Sequence, residues 1–163
     1  MKTFRTQRPV PFSPQQMFDL VADVDQYPRF LPLCEGMVVR SRQLQTNGTE
    51  VLIADMTMGY KAIHETISSR VTLEPELPRV GVTYLSGPFS RMENEWTFAP
   101  VPGGCIVKFY IAYEVRNPLL GYLVSQVFDR AFKRFAAAFE ARAHEVYGAR
   151  QGVSIGQPAP SRS

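Results

Sequence analysis

The sequence changes periodicity once, and this change restricts the fold more than any other feature. Between residues 36 and 116, apolar and polar residues alternate with a period of two, as in the strands of a sheet. After residue 117 the apolar residues recur at the spacing of a helix. A run of strands followed by one long helix predicts an α+β fold in which the helix packs on one face of the sheet.

Turn residues divide the alternating region into six predicted strands. Asn47-Gly48 is a strong hairpin signal, and the turn at Gly103-Gly104 is a second one. The short, even spacing predicts an antiparallel meander. The predicted strands are residues 36–43, 49–60, 63–74, 80–86, 91–100 and 104–116.

Two short helices are predicted between this region and an extended first segment at residues 2–11. Ser13 is the expected N-cap, with Pro14 in the first helical position and Gln16 completing a capping box. Asp25 is expected to cap the second short helix.

Asn117-Pro118 repeats the cap signal and begins a predicted helix of about thirty residues that ends before Gly148. Its C-terminal half carries an aromatic stripe, whereas the N-terminal half has the small residues Gly121 and Ser125 on the same face. A sheet curved around such a helix would be filled at one end and hollow at the other. Alternatively, the small residues only permit close helix packing. The stripe consists of Phe128, Phe132, Phe135 and Phe139.

Length and charge indicate one domain without a dedicated nucleic-acid surface. The chain has 163 residues, close to the roughly 150 expected of a single domain, and we predict a domain at 1–148 and a disordered tail at 149–163. Of the net charge of +3, the tail supplies +2 through Arg150 and Arg162, so the domain is nearly neutral.

Catalytic and metal-binding motifs are missing from the sequence. His64 and His144 are the two histidines, and no HExxH, GxSxG, P-loop or GxGxxG motif is present. Cys34 and Cys105 lack CxxC spacing and are predicted to be buried free thiols of a cytoplasmic protein. We therefore predict a protein that is not an enzyme and uses no metal or cofactor.

Two features of the predicted surface leave alternatives open. Leu119 and Leu123 point away from the aromatic stripe, so they either contact a membrane surface or are covered by the short N-terminal helices. Peripheral attachment to the inner membrane is therefore an option beside a free cytoplasmic protein. Five basic residues could also form a patch: Arg40, Arg42, Arg130, Lys133 and Arg134.

Several segments resemble the coenzyme Q-binding START-domain proteins, which belong to the polyketide cyclase/dehydrase-like, helix-grip superfamily. The longest is VPFSPQQMFDLVADV at residues 10–24, followed by YPRFLP at 27–32. The others are MGYKA at 58–62, SRVTL at 69–73, GPF at 87–89, ENEW at 93–96 and the helix at 135–143. The resemblance covers about residues 3–147.

The resemblance implies a START/Bet v 1-like fold, in which a seven-stranded antiparallel sheet wraps around the long C-terminal helix and leaves an apolar tunnel. It implies non-catalytic binding of ubiquinone or a related isoprenoid quinone in support of respiration. We expect Glu65 or Asn94 to meet the polar ring, and Tyr27, Phe30 and Leu31 to form a lid. The expected walls are Met56, Met58, Tyr60, Trp96, Phe109, Val124, Phe128 and Phe132.

Two alternatives come from the same superfamily. Some bacterial members are toxins that block association of ribosomal subunits, and the basic residues above would then contact the ribosome, although the nearly neutral domain argues against this. Other members are cyclases and dehydratases, in which case Glu65 would act as a general base.

Overall fold

Seven strands and four α-helices make up the computed structural model, which describes residues 1–148 except for the side chain of Asp129. The strands are β1 (Lys2–Val10), β2 (Cys34–Leu44), β3 (Glu50–Tyr60), β4 (Ile63–Glu74), β5 (Arg79–Ser86), β6 (Phe89–Val101) and β7 (Gly104–Val115). The helices are α1 (Pro14–Ala22), α2 (Tyr27–Phe30), α3 (Pro118–Ser125) and α4 (Phe128–Ala143). A 3₁₀ turn (Val24–Gln26) precedes α2, and a π-helical turn (His144–Gly148) follows α4. The predicted tail lies outside the described residues.

All seven strands form one antiparallel sheet in the order β1-β7-β6-β5-β4-β3-β2. From β2 to β7 each strand pairs with the next one in the chain, whereas β1 crosses over to pair with β7. This arrangement confirms the predicted α+β meander. Gly48 and Gly103 have φ of 89° and 82°, as the tight turns predicted at these positions require.

The helix starts follow the predicted capping chemistry in two of three cases. The Ser13 hydroxyl accepts a hydrogen bond from the Gln16 N–H, and the Gln16 side chain accepts one from the Ser13 N–H. Asn117 accepts hydrogen bonds from the first two N–H groups of α3 that follow Pro118. The prediction for Asp25 is wrong, because its carboxylate pairs with Arg42 of β2 and caps no helix.

The prediction of one thirty-residue C-terminal helix is also wrong. The chain bends between α3 and α4, where the N–H groups of Gln126 and Val127 bond to carbonyl groups only three residues back. The Ser125 hydroxyl donates to the Tyr122 carbonyl oxygen at 2.8 Å, a contact that competes with helical bonding and bends helices. At the other end, Gly148 belongs to the π-helical turn instead of stopping an α-helix.

The most completely buried part of the core lies beneath α1, at one end of the sheet. Phe12, Met17 and Val21 are almost completely buried there. The Tyr147 hydroxyl donates to the Gln16 carbonyl oxygen at 2.8 Å, which ties the π-helical turn to α1. Cys34 and Cys105 are buried free thiols, as predicted.

Candidate ligand-binding cavity

The space between the concave face of the sheet and the C-terminal helices contains two adjoining chambers. The inner chamber has a volume of about 140 Å³ and lies between the sheet and α4. The aromatic stripe of α4 forms one wall, although the sequence predicted that this half would be filled. Apolar side chains make up nearly all of the lining, and Ser69 and Asn94 contribute polar groups.

The outer chamber is larger, at about 430 Å³. Its walls come from α3, the start of α4 and the turn between β3 and β4. Lys61 and Gln126 are exposed at its rim, whereas Glu65 is half-buried in its wall. The larger volume therefore lies beside the helix segment that carries Gly121 and Ser125.

Four side chains line both chambers and separate them: Met58, Ile67, Phe89 and Phe128. Phe128 is the first residue of α4, directly after the bend. Phe89 is held at the start of β6, because the Tyr84 hydroxyl donates to its carbonyl oxygen at 2.9 Å and accepts from its N–H at 3.0 Å. Phe89 is not among the predicted wall residues, although it belongs to the GPF segment at 87–89, and its position depends on Tyr84.

Twelve of the thirteen predicted site residues line one or both chambers. The inner chamber contains Tyr27, Leu31, Met56, Asn94, Trp96, Phe109 and Phe132. The outer chamber contains Tyr60, Glu65 and Val124, and both contain Met58 and Phe128. Met37 and Met92 also line the inner chamber and were not predicted, although their alternation on β2 and β6 places them on the inward face.

Phe30, which is predicted to belong to the lid, lines neither chamber. Its ring packs against Tyr27 and Phe139, with centroid distances of 6.0 and 5.1 Å, and the Arg142 guanidinium lies 5.4 Å from its centroid. Tyr27 does face the inner chamber, and its hydroxyl donates to the Val21 carbonyl oxygen. Burial raises the pKa of the Tyr27 hydroxyl, which keeps it a neutral donor.

Two polar residues on the strands, Asn94 and Asp55, form different contacts. Asn94 donates from Nδ2 to the Tyr110 carbonyl oxygen at 2.8 Å. Asp55 accepts a hydrogen bond from the Ser68 hydroxyl at 2.7 Å and pairs with Arg40.

The contacts of Asp55 also favour its ionised form. The Ser68 hydrogen bond is the largest influence and holds the pKa of this carboxyl below its usual value, Arg40 acts in the same direction, and burial opposes both.

The apolar residues predicted to face outward near the start of the C-terminal helix are exposed. Leu119 and Leu123 are 70% and 41% exposed, and Tyr122 between them is 65% exposed, so the N-terminal helices do not cover this face. We call Leu119, Tyr122 and Leu123 the α3 apolar patch. No helix within residues 1–148 is long and apolar enough to cross a membrane. Within the same residues, no group of three or more His, Cys, Asp or Glu side chains could hold a metal ion.

An antiparallel sheet that curves around a C-terminal helix with an apolar cavity between them defines a helix-grip protein. The chain belongs to the family described as polyketide cyclase / dehydrase and lipid transport, whose sequence profile matches residues 10–140.

Individual relatives carry different functional names. The chain is 32% identical to the ribosome association toxin RatA of Rickettsia prowazekii, over 90% of the chain and 99% of that protein. It is also 32% identical to the mitochondrial coenzyme Q-binding protein COQ10 homolog B of Xenopus laevis, over 93% of the chain and 62% of that protein.

Solved structures agree on the fold. An 18 kDa protein of Caulobacter crescentus, with 31% identity, matches 91% of this chain and 99% of its own with a TM-score of 0.76. The ZhuI aromatase/cyclase of Streptomyces matches 95% of this chain and 97% of its own with a TM-score of 0.75 at 14% identity, which supports the fold alone.

Proposed function

We propose that the protein binds a hydrophobic ligand without catalysing a reaction, and that the ligand is ubiquinone or a related isoprenoid quinone used in respiratory electron transport. The observation that carries this proposal is the pair of adjoining apolar chambers between the sheet and the C-terminal helices. Ligand sites are concave and mostly apolar, with a few polar groups that fix orientation. Burial of an isoprenoid chain there would contribute about 25 cal/mol of favourable binding free energy per Å² of apolar surface removed from water.

The lining offers little support for acid–base catalysis. Glu65 is the carboxylate that lines the outer chamber, and within residues 1–148 it makes no hydrogen bond or ion pair that would hold it in a reactive position. General acid–base catalysis needs a group fixed within hydrogen-bond reach of the transferred proton. The cyclase or dehydratase alternative therefore ranks last.

The direct test uses Trp96, which is the single tryptophan of the chain and lines the inner chamber. Native mass spectrometry of the protein purified from its own host should find a quinone or isoprenoid at about one per chain. Added ubiquinone should quench Trp96 fluorescence saturably, with N-acetyltryptophanamide as the control for light absorbed by the quinone. A folded protein that carries no lipid and shows no specific quenching would overturn the proposal.

Binding to the ribosome is the second candidate, because a RatA protein matches the chain over almost its whole length. Arg130, Lys133 and Arg134 are exposed on α4. Arg40 and Arg42 contribute less, since Arg40 pairs with Asp55 and Arg42 with Asp25. Phosphate binding weakens steeply with salt. Salt-sensitive co-sedimentation with ribosomal subunits that is lost in the triple alanine variant of α4 would favour this function.

We place the protein's action in the cytoplasm, with transient contact to a membrane surface through the α3 apolar patch. The patch adjoins the outer chamber, because Leu123 belongs both to the patch and to the chamber lining. Contact there would let an apolar ligand pass between membrane and cavity without crossing water.

A further inference from the structure

We propose that the two chambers divide the ligand by length: a head group the size of one ring fills the inner chamber, about three isoprene units fill the outer chamber, and any longer chain leaves the protein beside α3. The inference rests on the function proposed above. It adds which end of the quinone enters first and how much of the tail contributes to affinity.

The size of the inner chamber matches one six-membered ring. Its volume is about 140 Å³, and an apolar protein cavity of about 150 Å³ holds one benzene molecule. The carbonyl, methoxy and methyl groups of a ubiquinone ring need more room than benzene, which the flexible side chains of Met37, Met56 and Met92 in the lining can supply by changing rotamer. The partition formed by Met58, Ile67, Phe89 and Phe128 marks the boundary with the outer chamber, because these side chains line both chambers. A flat ring with its first chain carbon at this partition fills the inner space and leaves the tail outside it.

The inner chamber also has the polar groups that an uncharged ring can use. Ser69 is only 7% exposed, and its hydroxyl takes part in none of the side-chain hydrogen bonds among the described residues. The bond from Asn94 Nδ2 to the Tyr110 carbonyl oxygen fixes the plane of the Asn94 amide, which lines the same chamber. A quinone carbonyl or quinol hydroxyl can form a hydrogen bond with the Ser69 hydroxyl, which a hydrocarbon chain end cannot do, and this difference favours the ring.

The outer chamber suits the tail. Lys61 and Gln126 at its rim are exposed and can be hydrated, Glu65 in its wall is half-buried and keeps partial contact with water, and the rest of the lining is largely apolar. The wall supplied by α3 is apolar and comprises Leu120, Leu123 and Val124. The volume of about 430 Å³ is about three times that of the inner chamber, which is space for about three ring-sized or isoprene-sized units. Beyond that length, a chain would pass over the α3 apolar patch.

The test is a series of quinones that share one ring and carry from zero to ten isoprene units, with Trp96 quenching as the readout. We expect affinity to rise by at least about tenfold per unit up to about three units, and then to stay within about twofold out to ten. A continued rise to ten units, or a fall beyond three, would overturn the length division while leaving quinone binding intact. Failure of every quinone to bind would overturn both this inference and the proposed function.

Two substitutions test the orientation. Val124→Phe narrows the outer chamber and should weaken binding of quinones with two or more units at least fivefold, without changing binding of the tail-free ring. Ser69→Ala should weaken every member of the series by a similar factor. Val38→Phe is the matched control, since Val38 is 58% exposed on β2 and lines neither chamber. The reverse pattern, in which Val124→Phe weakens the tail-free ring and Ser69→Ala does not, would show that the tail enters first.

Discussion

The indole of Trp96 packs against the ring of Phe139, with centroids 4.8 Å apart and ring planes inclined at 65°. Trp96 belongs to β6 and Phe139 to α4, so this contact joins the sheet to the helix. The Phe139 ring also lies 5.2 Å from Tyr27 and 5.1 Å from Phe30 of α2. One phenyl ring therefore holds three elements around the inner end of the cavity.

Phe139→Ala should lower the free energy of unfolding by about 3–5 kcal/mol, because it removes a buried ring whose neighbours belong to separate elements. Urea unfolding followed by circular dichroism measures the change. Phe135→Ala is the matched control on α4: Phe135 is half-buried and faces the inner chamber, so its loss should cost clearly less. Equal losses for the two variants would contradict the assigned role of Phe139.

The order and type of the elements could be predicted from the sequence because they depend on local pattern. Alternation located β2 to β7 to within two residues at each end, and the Ser13 and Asn117 caps located the starts of α1 and α3. These signals act between residues close in the chain. The strands predicted from these signals are present in the structure because the sheet buries the same faces that the alternation marks.

The bend before Phe128 and the shape of the cavity could not be predicted, since both depend on three-dimensional contacts. The helical spacing of apolar residues continues through Gln126 and Val127, so periodicity conceals the tightened turn. Alternation identified Met56 and Trp96 as inward-facing. Whether inward-facing side chains meet or leave space depends on the curvature of the sheet, which the pattern does not specify.

Val124→Trp should abolish binding of long-chain quinone while the protein stays folded, because the indole would occupy the outer chamber that Val124 lines. Native mass spectrometry of the purified variant measures the bound lipid, and circular dichroism checks the fold. Undiminished lipid content in the folded variant would show that this chamber does not hold the ligand.

The double substitution Leu119→Ser with Leu123→Ser should reduce binding to liposomes severalfold, because it removes two exposed apolar side chains from the α3 apolar patch. Liposome flotation measures the effect. The control is Val38→Ser with Leu44→Ser, which removes two other exposed apolar residues, 58% and 73% exposed, from β2. If the two double variants float equally well, membrane contact through α3 is excluded.

Asp55→Asn should destabilise the protein by about 1–3 kcal/mol at pH 7, since it weakens the bonds to Ser68 and Arg40 at a buried site. The pKa of Asp55 is lowered in the folded state, so its contribution is complete above the unfolded pKa of about 3.9 and is lost as the pH falls through the lower folded value.

The difference in melting temperature between wild type and Asp55→Asn should therefore shrink below about pH 4. Asp19→Asn serves as the control, because Asp19 is exposed and accepts a hydrogen bond only from Gln15 among the described residues. A difference that stays constant down to pH 2 would contradict the ionic role of Asp55.

The crossover of β1 to β7 governs when the fold can be completed. Lys2 lies opposite Tyr113, 111 residues further along the chain, whereas the other strands pair with their immediate successors. During synthesis, β2 to β6 can pair as each hairpin emerges from the ribosome, but β1 stays unpaired until β7 has been synthesised. Contacts between such distant segments form slowly. Although β1 is translated before the other six strands, it is thus the last of them to join the sheet, and until then its unpaired backbone is open to pairing with other chains.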